Sequence, residues 1–304
     1  MAGVINTGSH PKFLWPGVKA IWGRTYNEHK EEWPFLFDQD TSKQNYEEDV
    51  QVTGFGLAPV KTEGSAATYD SEVQGFITRY IHVTYVLGYI VTQEEIEDNL
   101  YSKVSGRRAG ALAFSFRQTK ENVAANIYNR AFNASFVGGD GVALLSTAHP
   151  NTSGGTFSNK LAVDADLSEA SLEDLIVQIM GAQDDRGLLI NVMPKALIVP
   201  RAEWFNANRI LKSVFQPGTA NNDLNVLHAT NAIPEGIIMN HYLSASHAWF
   251  IRSNVQNGMK MYQRVGISFE QDNDFDTGNA KAKSRERYSF SWTDPRGLWG
   301  SNGP

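Results

Sequence analysis

Residues 92–133 carry the longest helical pattern in the sequence, and its length restricts the folds that this chain can adopt. The pattern begins at Thr92 and Glu95, which form a capping box in which each side chain can satisfy the other's backbone amide. Apolar residues then recur at steps of four or seven. About forty helical residues would span about 60 Å at about 1.5 Å each, too long for the core of most small domains. We therefore expect a strut, bent or interrupted at Gly106 and Gly110 because glycine disfavours helix.

The segment before this helix has a β pattern. Residues 76–91 mix β-branched and aromatic side chains in a run much longer than the usual strand of about 5–6 residues. Two interpretations remain open: one long strand of a hairpin that projects beyond its domain, or two ordinary strands joined by a bend near Gly88. Residues 259–270 and 284–292 flank a polar loop and predict a second long hairpin.

The middle of the chain has elements of ordinary length. Apolar spacing predicts helices over residues 171–183 and 201–212. Short apolar runs predict strands at residues 196–199, 225–228, 236–239 and 248–252. We therefore expect a compact α/β layer between elongated elements at both ends.

Large aromatic rings are concentrated in the first 45 residues. Disordered segments seldom carry so many, because leaving each ring exposed forfeits about 1.5–3 kcal/mol of burial. We expect a short helix over residues 18–32 and burial of rings such as Trp22 and Trp33 against the chain's own core or against a neighbouring copy.

Composition weighs against several functions. The 304 residues carry a net charge of −6, which is unfavourable for binding a nucleic-acid backbone, and they include no cysteine for a disulfide, thiolate nucleophile or cysteine zinc site. The seven histidines include no pair at i, i+4, and neither a phosphate loop nor a Gly-x-Ser-x-Gly elbow occurs. The sequence therefore predicts no catalytic, cofactor-binding or metal-binding residue. No signal peptide or membrane span is visible either.

Alternating charges mark the second hairpin. Asp272, Asp274 and Asp276 resemble the start of a calcium loop, but Thr277 and Lys283 occupy the positions that require glycine and glutamate. We expect an acidic hairpin tip instead. The following strand places four cations on one face, where they suit a complementary surface. These cations are Lys281, Lys283, Arg285 and Arg287.

Five segments carry a family resemblance by their order along the chain. They are residues 15–23 (WPGVKAIWG), 144–156 (LLSTAHPNTSGGT), 193–200 (MPKALIVP), 274–278 (DFDTG) and 288–297 (YSFSWTDPRG). In this order they resemble the major capsid proteins of tailed bacteriophages, particularly the Mu-like major head subunits. The resemblance spans nearly the whole chain, although no single segment is diagnostic.

This resemblance implies an α+β fold of the Hong Kong 97 type, with an N-terminal arm, an extended β-hairpin loop, a peripheral domain with a long spine helix, and an axial α/β domain. The implied boundaries follow the elements above. They are residues 1–45 for the arm, 46–91 for the extended loop and its flanking strands, 92–135 for the spine helix, 136–255 for the axial domain, 256–295 for the long peripheral hairpin, and 296–304 for a tail that returns to the axial domain.

The resemblance also implies a function in assembly rather than catalysis. Hexamers and pentamers of the chain would form an icosahedral head around packaged DNA, without sequence-specific DNA binding, and the virion would be assembled in the host cytoplasm. Expected partners are other copies of the chain, a separate scaffolding protein, a portal protein at one vertex and, optionally, a decoration protein. A membrane and a cofactor are not expected.

Contacts between subunits would then involve the aromatic arm, the tip of the extended loop and the charges of the second hairpin. We expect the rings to bury apolar surface on neighbours and the charges to set their register. The candidates are Trp15, Trp22, Trp33, Lys61, Asp272, Asp274, Asp276, Arg285 and Arg287.

Two alternatives remain. A tail-tube protein would also use extended strands but has less need of a long helix. A glycan-acting virion hydrolase could use Trp204 and Trp249 to stack on sugars and a pair of distant carboxylates for catalysis. Neither explains the arm, the long hairpin and the strut together.

Overall fold

A computed structural model of the chain describes residues 15–28, 30–98, 101–216, 223–274 and 276–303. Within these residues, two four-stranded sheets and one long helix organise the fold. The helices are α1 (Trp15–Glu28), α2 (Gln93–Asp98), α3 (Tyr101–Asn129), α4 (Glu169–Met180), α5 (Trp204–Lys212) and α6 (Val226–Ala229). The strands are β1 (Asp38–Thr41), β2 (Tyr46–Val52), β3 (Gln74–Ile81), β4 (Val83–Val91), β5 (His149–Pro150), β6 (Thr156–Phe157), β7 (Pro194–Pro200), β8 (Ile237–Asn240), β9 (Trp249–Ser253), β10 (Met259–Asn273), β11 (Ala280–Trp292) and β12 (Leu298–Ser301).

The first sheet, called here the long sheet, has the strand order β1-β10-β11-β4. Its central strands β10 and β11 contain 15 and 13 residues and pair in an antiparallel hairpin, which confirms the predicted second hairpin. From Ala280 to Arg287, alternate residues of β11 are buried, and the residues between them are the four cations on the opposite face. Period-two alternation therefore gives this sheet one covered face and one charged face.

Helix α3 lies on the covered face of the long sheet and continues through both glycines. The predicted interruption is wrong because α1 packs closely there: a Cβ atom at Gly106 would lie 2.9 Å from the Ile21 side chain, and one at Gly110 would lie 3.4 Å from Thr25. Glycine thus lets two helices approach, and the packing offsets its poor helix propensity.

Strands β2 and β3 form a separate antiparallel hairpin, and β3 is followed directly by β4 of the long sheet. Of the two interpretations of residues 76–91, two strands is correct, but the break lies at His82 rather than near Gly88. Gly88 lies inside β4, where a Cβ atom would approach the carbonyl oxygen of Ala282 to 2.6 Å. The glycine therefore serves strand pairing and not a bend.

The second sheet, called here the short sheet, has the order β12-β9-β7-β8 and is covered by α4 and α5. Its core joins Leu172 and Leu175 of α4 to Leu197 of β7 and Trp249 of β9. The predicted strand at residues 225–228 is wrong: α6 forms instead, because the Asn225 side chain accepts a hydrogen bond from the backbone amide of His228 and caps the helix. No helix in the described ranges is long and apolar enough to cross a membrane.

Candidate functional site

The loop that joins β2 to β3, residues 53–73, leaves large apolar side chains in solvent. Residues 54–73 are all exposed, and Leu57 and Val60 keep 81% and 95% of their accessible surface. Burying a side chain of this size contributes about 1.5–3 kcal/mol. Exposed apolar side chains do not stabilise an isolated subunit, whereas burying them in a contact with another molecule stabilises that contact. We call residues 53–73 the hairpin loop. Its other large exposed apolar side chains are Phe55, Tyr69 and Val73.

The base of this hairpin is fixed to the long sheet by Asp49 of β2. Its carboxylate accepts hydrogen bonds from Lys260 at 2.8 Å, from Tyr262 at 3.0 Å and from Thr293 at 2.8 Å. Burial opposes the charge, but these hydrogen bonds outweigh it and hold the pKa of Asp49 below its ordinary value. Tyr80 of β3 also hydrogen-bonds to Thr293, at 2.7 Å, so both strands are tied to the same residue.

A second polar network fixes the break between β3 and β4. Ring nitrogens of His82 lie 2.9 Å from Ser42 Oγ and 3.0 Å from Ser289 Oγ, and Ser42 donates to Glu47 at 2.6 Å. Burial, together with the charge of Arg287, lowers the pKa of His82. The grouping contains serine, histidine and a carboxylate but is not organised for catalysis, because the carboxylate binds the serine and His82 is only 4% exposed. It anchors the root of the hairpin.

The hairpin loop contacts its own subunit through Arg186, which lies in the segment that joins α4 to β7. We call the short sheet with its connecting segments the short-sheet side. Arg186 Nη1 donates to Asp70 Oδ2 at 2.6 Å, and Nη2 donates to the carbonyl oxygen of Ser71. Asp70 also accepts from the backbone amide of Gly56 at 2.7 Å. Hydrogen bonds from the Gly56 and Ser71 amides, with that from Arg186, lower the pKa of Asp70. The loop therefore has a fixed root and one polar contact close to that root, with residues 57–69 extending beyond it.

The N-terminal rings lie inside their own subunit. Trp22 stacks on Tyr26 and on Phe269 of β10, with both ring centroids 5.4 Å away, and is 7% exposed. Trp33 is 2% exposed and packs edge-on to Phe290. The expectation that Trp22 and Trp33 contact neighbours is therefore wrong, because α1 and the turn after it already bury them on α3 and the long sheet. The side chain of Trp15 and residues 1–14 lie outside the described part of the chain.

The charged candidates separate into two groups. Asp274 pairs with Lys281 of the same hairpin at 2.8 Å, and Arg287 donates to Asn45 at 2.7 Å, so both are engaged within the subunit. The remaining candidates are exposed to solvent, and in the described residues Arg285 makes no side-chain hydrogen bond or ion pair. They are Lys61, Asp272, Asp276 and Arg285.

Sequence reasoning missed an apolar row beside the cations. Val86 and Ile90 of β4 are paired with Arg285 and Lys281 of β11, and both are more than half exposed. The strand pattern of residues 83–91 carried this signal. Val86 and Ile90 are an even number of residues apart, so in a strand both point to the same face. The apolar side chains of the hairpin loop were also missed, because they are scattered through a segment rich in Gly, Ala and Ser without any period.

Trp249, one of the two tryptophans considered for sugar stacking, is not available for it. Trp249 is fully buried in the short sheet, and its ring nitrogen donates to the carbonyl oxygen of Ala165 at 3.0 Å. A ring without exposed surface cannot stack on a sugar. In the described residues, no group of three or more His, Asp or Glu side chains could hold a metal ion.

Comparison with protein families gives one match, which covers residues 77–300 and is described as a phage capsid protein. The match includes α3, strands β4, β10 and β11 of the long sheet, and the short sheet as far as Gly300. It begins inside β3 and leaves β1 of the long sheet outside. No curated protein matches this chain.

Solved structures with a similar fold include a capsid, a structure from a phage and a virus-like particle. The capsid of a native GTA particle has 12% identity and a TM-score of 0.56 over 99% of this chain and 91% of that chain. A structure from Mycobacterium phage Adephagia has 11% identity and a TM-score of 0.53 over 91% of each chain. A virus-like particle from Pyrococcus furiosus has 10% identity and a TM-score of 0.51 over 94% of this chain and 98% of that chain. At these identities the similarity shows the fold.

Proposed function

The chain belongs to the phage capsid protein family and has the α+β fold of the Hong Kong 97 type, and from this premise we propose that its copies form the hexamers and pentamers of an icosahedral tailed-phage head. Its role is to form a capsid, and that role is structural. The observation that supports assembly through the hairpin loop is the exposure of Leu57 and Val60 above a root anchored by Asp49 and His82. A rigid root with an unburied apolar loop suits a subunit that completes its burial on a neighbour.

We propose the following division of the chain. Residues 1–45 serve as the arm, 46–91 as the extended loop, 92–135 with 256–295 as the peripheral domain, and 136–255 with 296–304 as the axial domain. The strand order supports this division, because β10 and β11 belong to the sheet under α3, whereas β12 pairs with β9 of the short sheet.

For the contacts between subunits, we propose that the hairpin loop of one copy covers an apolar and charged surface of the next. Several weak contacts of this kind become strong together in a closed shell. Arg285, Asp272 and Asp276 would set the register, since all three are exposed on the second hairpin. Lys61 lies near the tip of the loop and would contribute to the same contact.

The further partners are those expected for such a head: a separate scaffolding protein, a portal protein at one vertex, optionally a decoration protein, and packaged DNA. Assembly would take place in the host cytoplasm. The net charge of −6 favours enclosure of DNA without tight binding to its phosphates.

Expression of the chain followed by negative-stain electron microscopy tests this proposal. Closed shells or isolated capsomers are the expected products, with a scaffolding protein coexpressed if the chain alone yields only capsomers. Tubes would indicate a tail protein instead. Small monodisperse particles under both conditions would contradict a capsid subunit.

A further inference from the structure

Arg186 is held in place before it meets the hairpin loop. It lies in a tight turn in which Asp184 Oδ1 accepts from the backbone amides of Arg186 at 2.8 Å and Leu188 at 2.9 Å. Gly187 completes the turn with a φ of +80°, a conformation that favours glycine. The turn therefore fixes the backbone from which the Arg186 side chain reaches the loop.

One guanidinium joins both limbs of the hairpin loop. Arg186 binds Asp70 and the Ser71 carbonyl on the returning limb, and Asp70 in turn binds the Gly56 amide on the outgoing limb. The side chains of Arg186 and Asp70 remain 23% and 44% exposed. Water can therefore compete with the contact, and it is reversible.

Beneath this contact, open space separates the base of the hairpin loop from the turn that carries Arg186. A cavity of about 370 Å³ lies between them, lined by residues that include Val52 and Thr53 of the hairpin side and Asp184, Asp185 and Arg296 of the other side. Since residues 54–73 are exposed throughout, a polar contact rather than apolar burial holds the loop against its own subunit.

We propose that the Arg186–Asp70 contact is a clasp that retains the hairpin loop on its own subunit before assembly and opens when the loop is buried on a neighbouring copy. This inference rests on the proposed function and adds a control on the rate of assembly. A partly exposed ion pair shifts an equilibrium about two- to fivefold, whereas burial of one large apolar side chain shifts it about ten- to a hundredfold. Docking of the loop therefore overcomes the clasp, which delays assembly without preventing it.

Removal of the clasp provides the first test. In Arg186→Ala, the hydrogen-bonded amides of Gly56 and Ser71 should exchange about two- to fivefold faster in dissociated subunits, because both donate to Asp70. Shell formation, monitored by light scattering, should start earlier. Lys195→Ala is the matched control, because it removes an ion pair to Glu235 at 3.3 Å on the short-sheet side without touching the loop. Unchanged exchange in Arg186→Ala, or slower shell formation, would overturn the clasp.

A covalent clasp provides the second test. The chain has no cysteine, so Ser71→Cys with Arg186→Cys creates the only two thiols for a short cleavable cross-linker. Cross-linked subunits should fail to form shells and should recover when the linker is cleaved, whereas Ser71→Cys treated with the same reagent should assemble. Shells from cross-linked subunits at the normal rate would refute the clasp. If the unmodified chain forms neither shells nor capsomers, with or without a coexpressed scaffolding protein, the proposed function fails, and hydrogen exchange still decides whether the clasp exists.

Discussion

The ammonium group of Lys120 lies 2.7 Å from the carboxylate of Glu286, and both side chains are buried between α3 and β11. Burial lowers the pKa of Lys120 despite this partner. Both charges lose their hydration on folding, so the pair contributes less than its Coulomb energy suggests. Its main effect is to fix the position of the long helix on the sheet that carries the second hairpin.

Removing one member of this pair should be more harmful than removing both. Lys120→Met leaves Glu286 buried without a cation, and we expect the free energy of unfolding to fall by about 3–5 kcal/mol. The double variant Lys120→Met with Glu286→Leu should recover most of this loss. Urea unfolding of the dissociated subunits measures both. Equal losses in the single and double variants would show that side-chain packing, not the unpaired charge, is responsible.

Glu121 should make the stability of the subunit depend on pH. It accepts hydrogen bonds from the backbone amides of Glu32 at 2.8 Å and Trp33 at 3.0 Å, and burial raises its pKa to about 6. Because the folded state binds this proton more tightly than the unfolded state, the contribution is present at low pH and is lost as pH rises from about 4.5 to 6. The loss is at most about 2 kcal/mol.

Glu121→Gln removes this titration while keeping an acceptor oxygen. The difference in unfolding free energy between the two proteins should therefore change across pH 4.5 to 6 and be constant from pH 6.5 to 7.5. Chemical denaturation at several pH values measures it. A difference that stays constant across the lower range would show that Glu121 does not titrate there.

Asp49 should determine how firmly the hairpin is held. Asp49→Ala leaves Lys260 without its carboxylate, and we expect a loss of about 1–3 kcal/mol together with faster proteolysis of residues 46–81. Glu48→Ala is the neighbouring control, because it removes only an exposed ion pair to Arg79 and should change the free energy of unfolding little. Similar proteolysis of the two variants would contradict an anchoring role for Asp49.

Local patterns predicted the second hairpin and most of the long helix, because period is a property of the segment itself. The helix of about forty residues expected over 92–133 is instead α2 and the 29-residue α3. Local patterns failed where a distant residue decided the outcome. Gly106 by itself predicts a break in the helix, but Ile21 of α1 packs against it and the helix continues. The break in the β run lies at His82 because Ser42 and Ser289 hydrogen-bond to its ring. Contacts between residues far apart in sequence carry no local signal.

The candidate contact residues show the same limit. The many aromatic rings indicated burial, but the sequence could not indicate which surface covers them. In the structure, Trp22 and Trp33 are buried within their own subunit. Strand alternation did place Arg285 on an exposed face, since a period of two needs no knowledge of partners. The apolar side chains of the hairpin loop follow no period and became visible only from their exposure.

Arg285 should affect assembly without affecting the fold. It is exposed and free of ion pairs in the described residues, so Arg285→Glu should leave thermal unfolding unchanged and lower the yield of particles about fivefold, as expected for the loss of about 1 kcal/mol per contact. Arg285→Lys keeps the charge and should retain most of the yield. Full yield from Arg285→Glu would remove this residue from the interface.

The most direct test of the account is electron microscopy combined with sedimentation of the unmodified chain and of a double variant, Leu57→Asp with Val60→Asp. Both side chains are exposed in the subunit, so the variant should unfold at the same temperature as the unmodified chain. With a scaffolding protein coexpressed if the chain alone yields only capsomers, we expect closed shells from the unmodified chain and unassembled subunits or capsomers from the variant. Shells of equal yield from both proteins would contradict the claim that the hairpin loop completes its burial on a neighbouring copy.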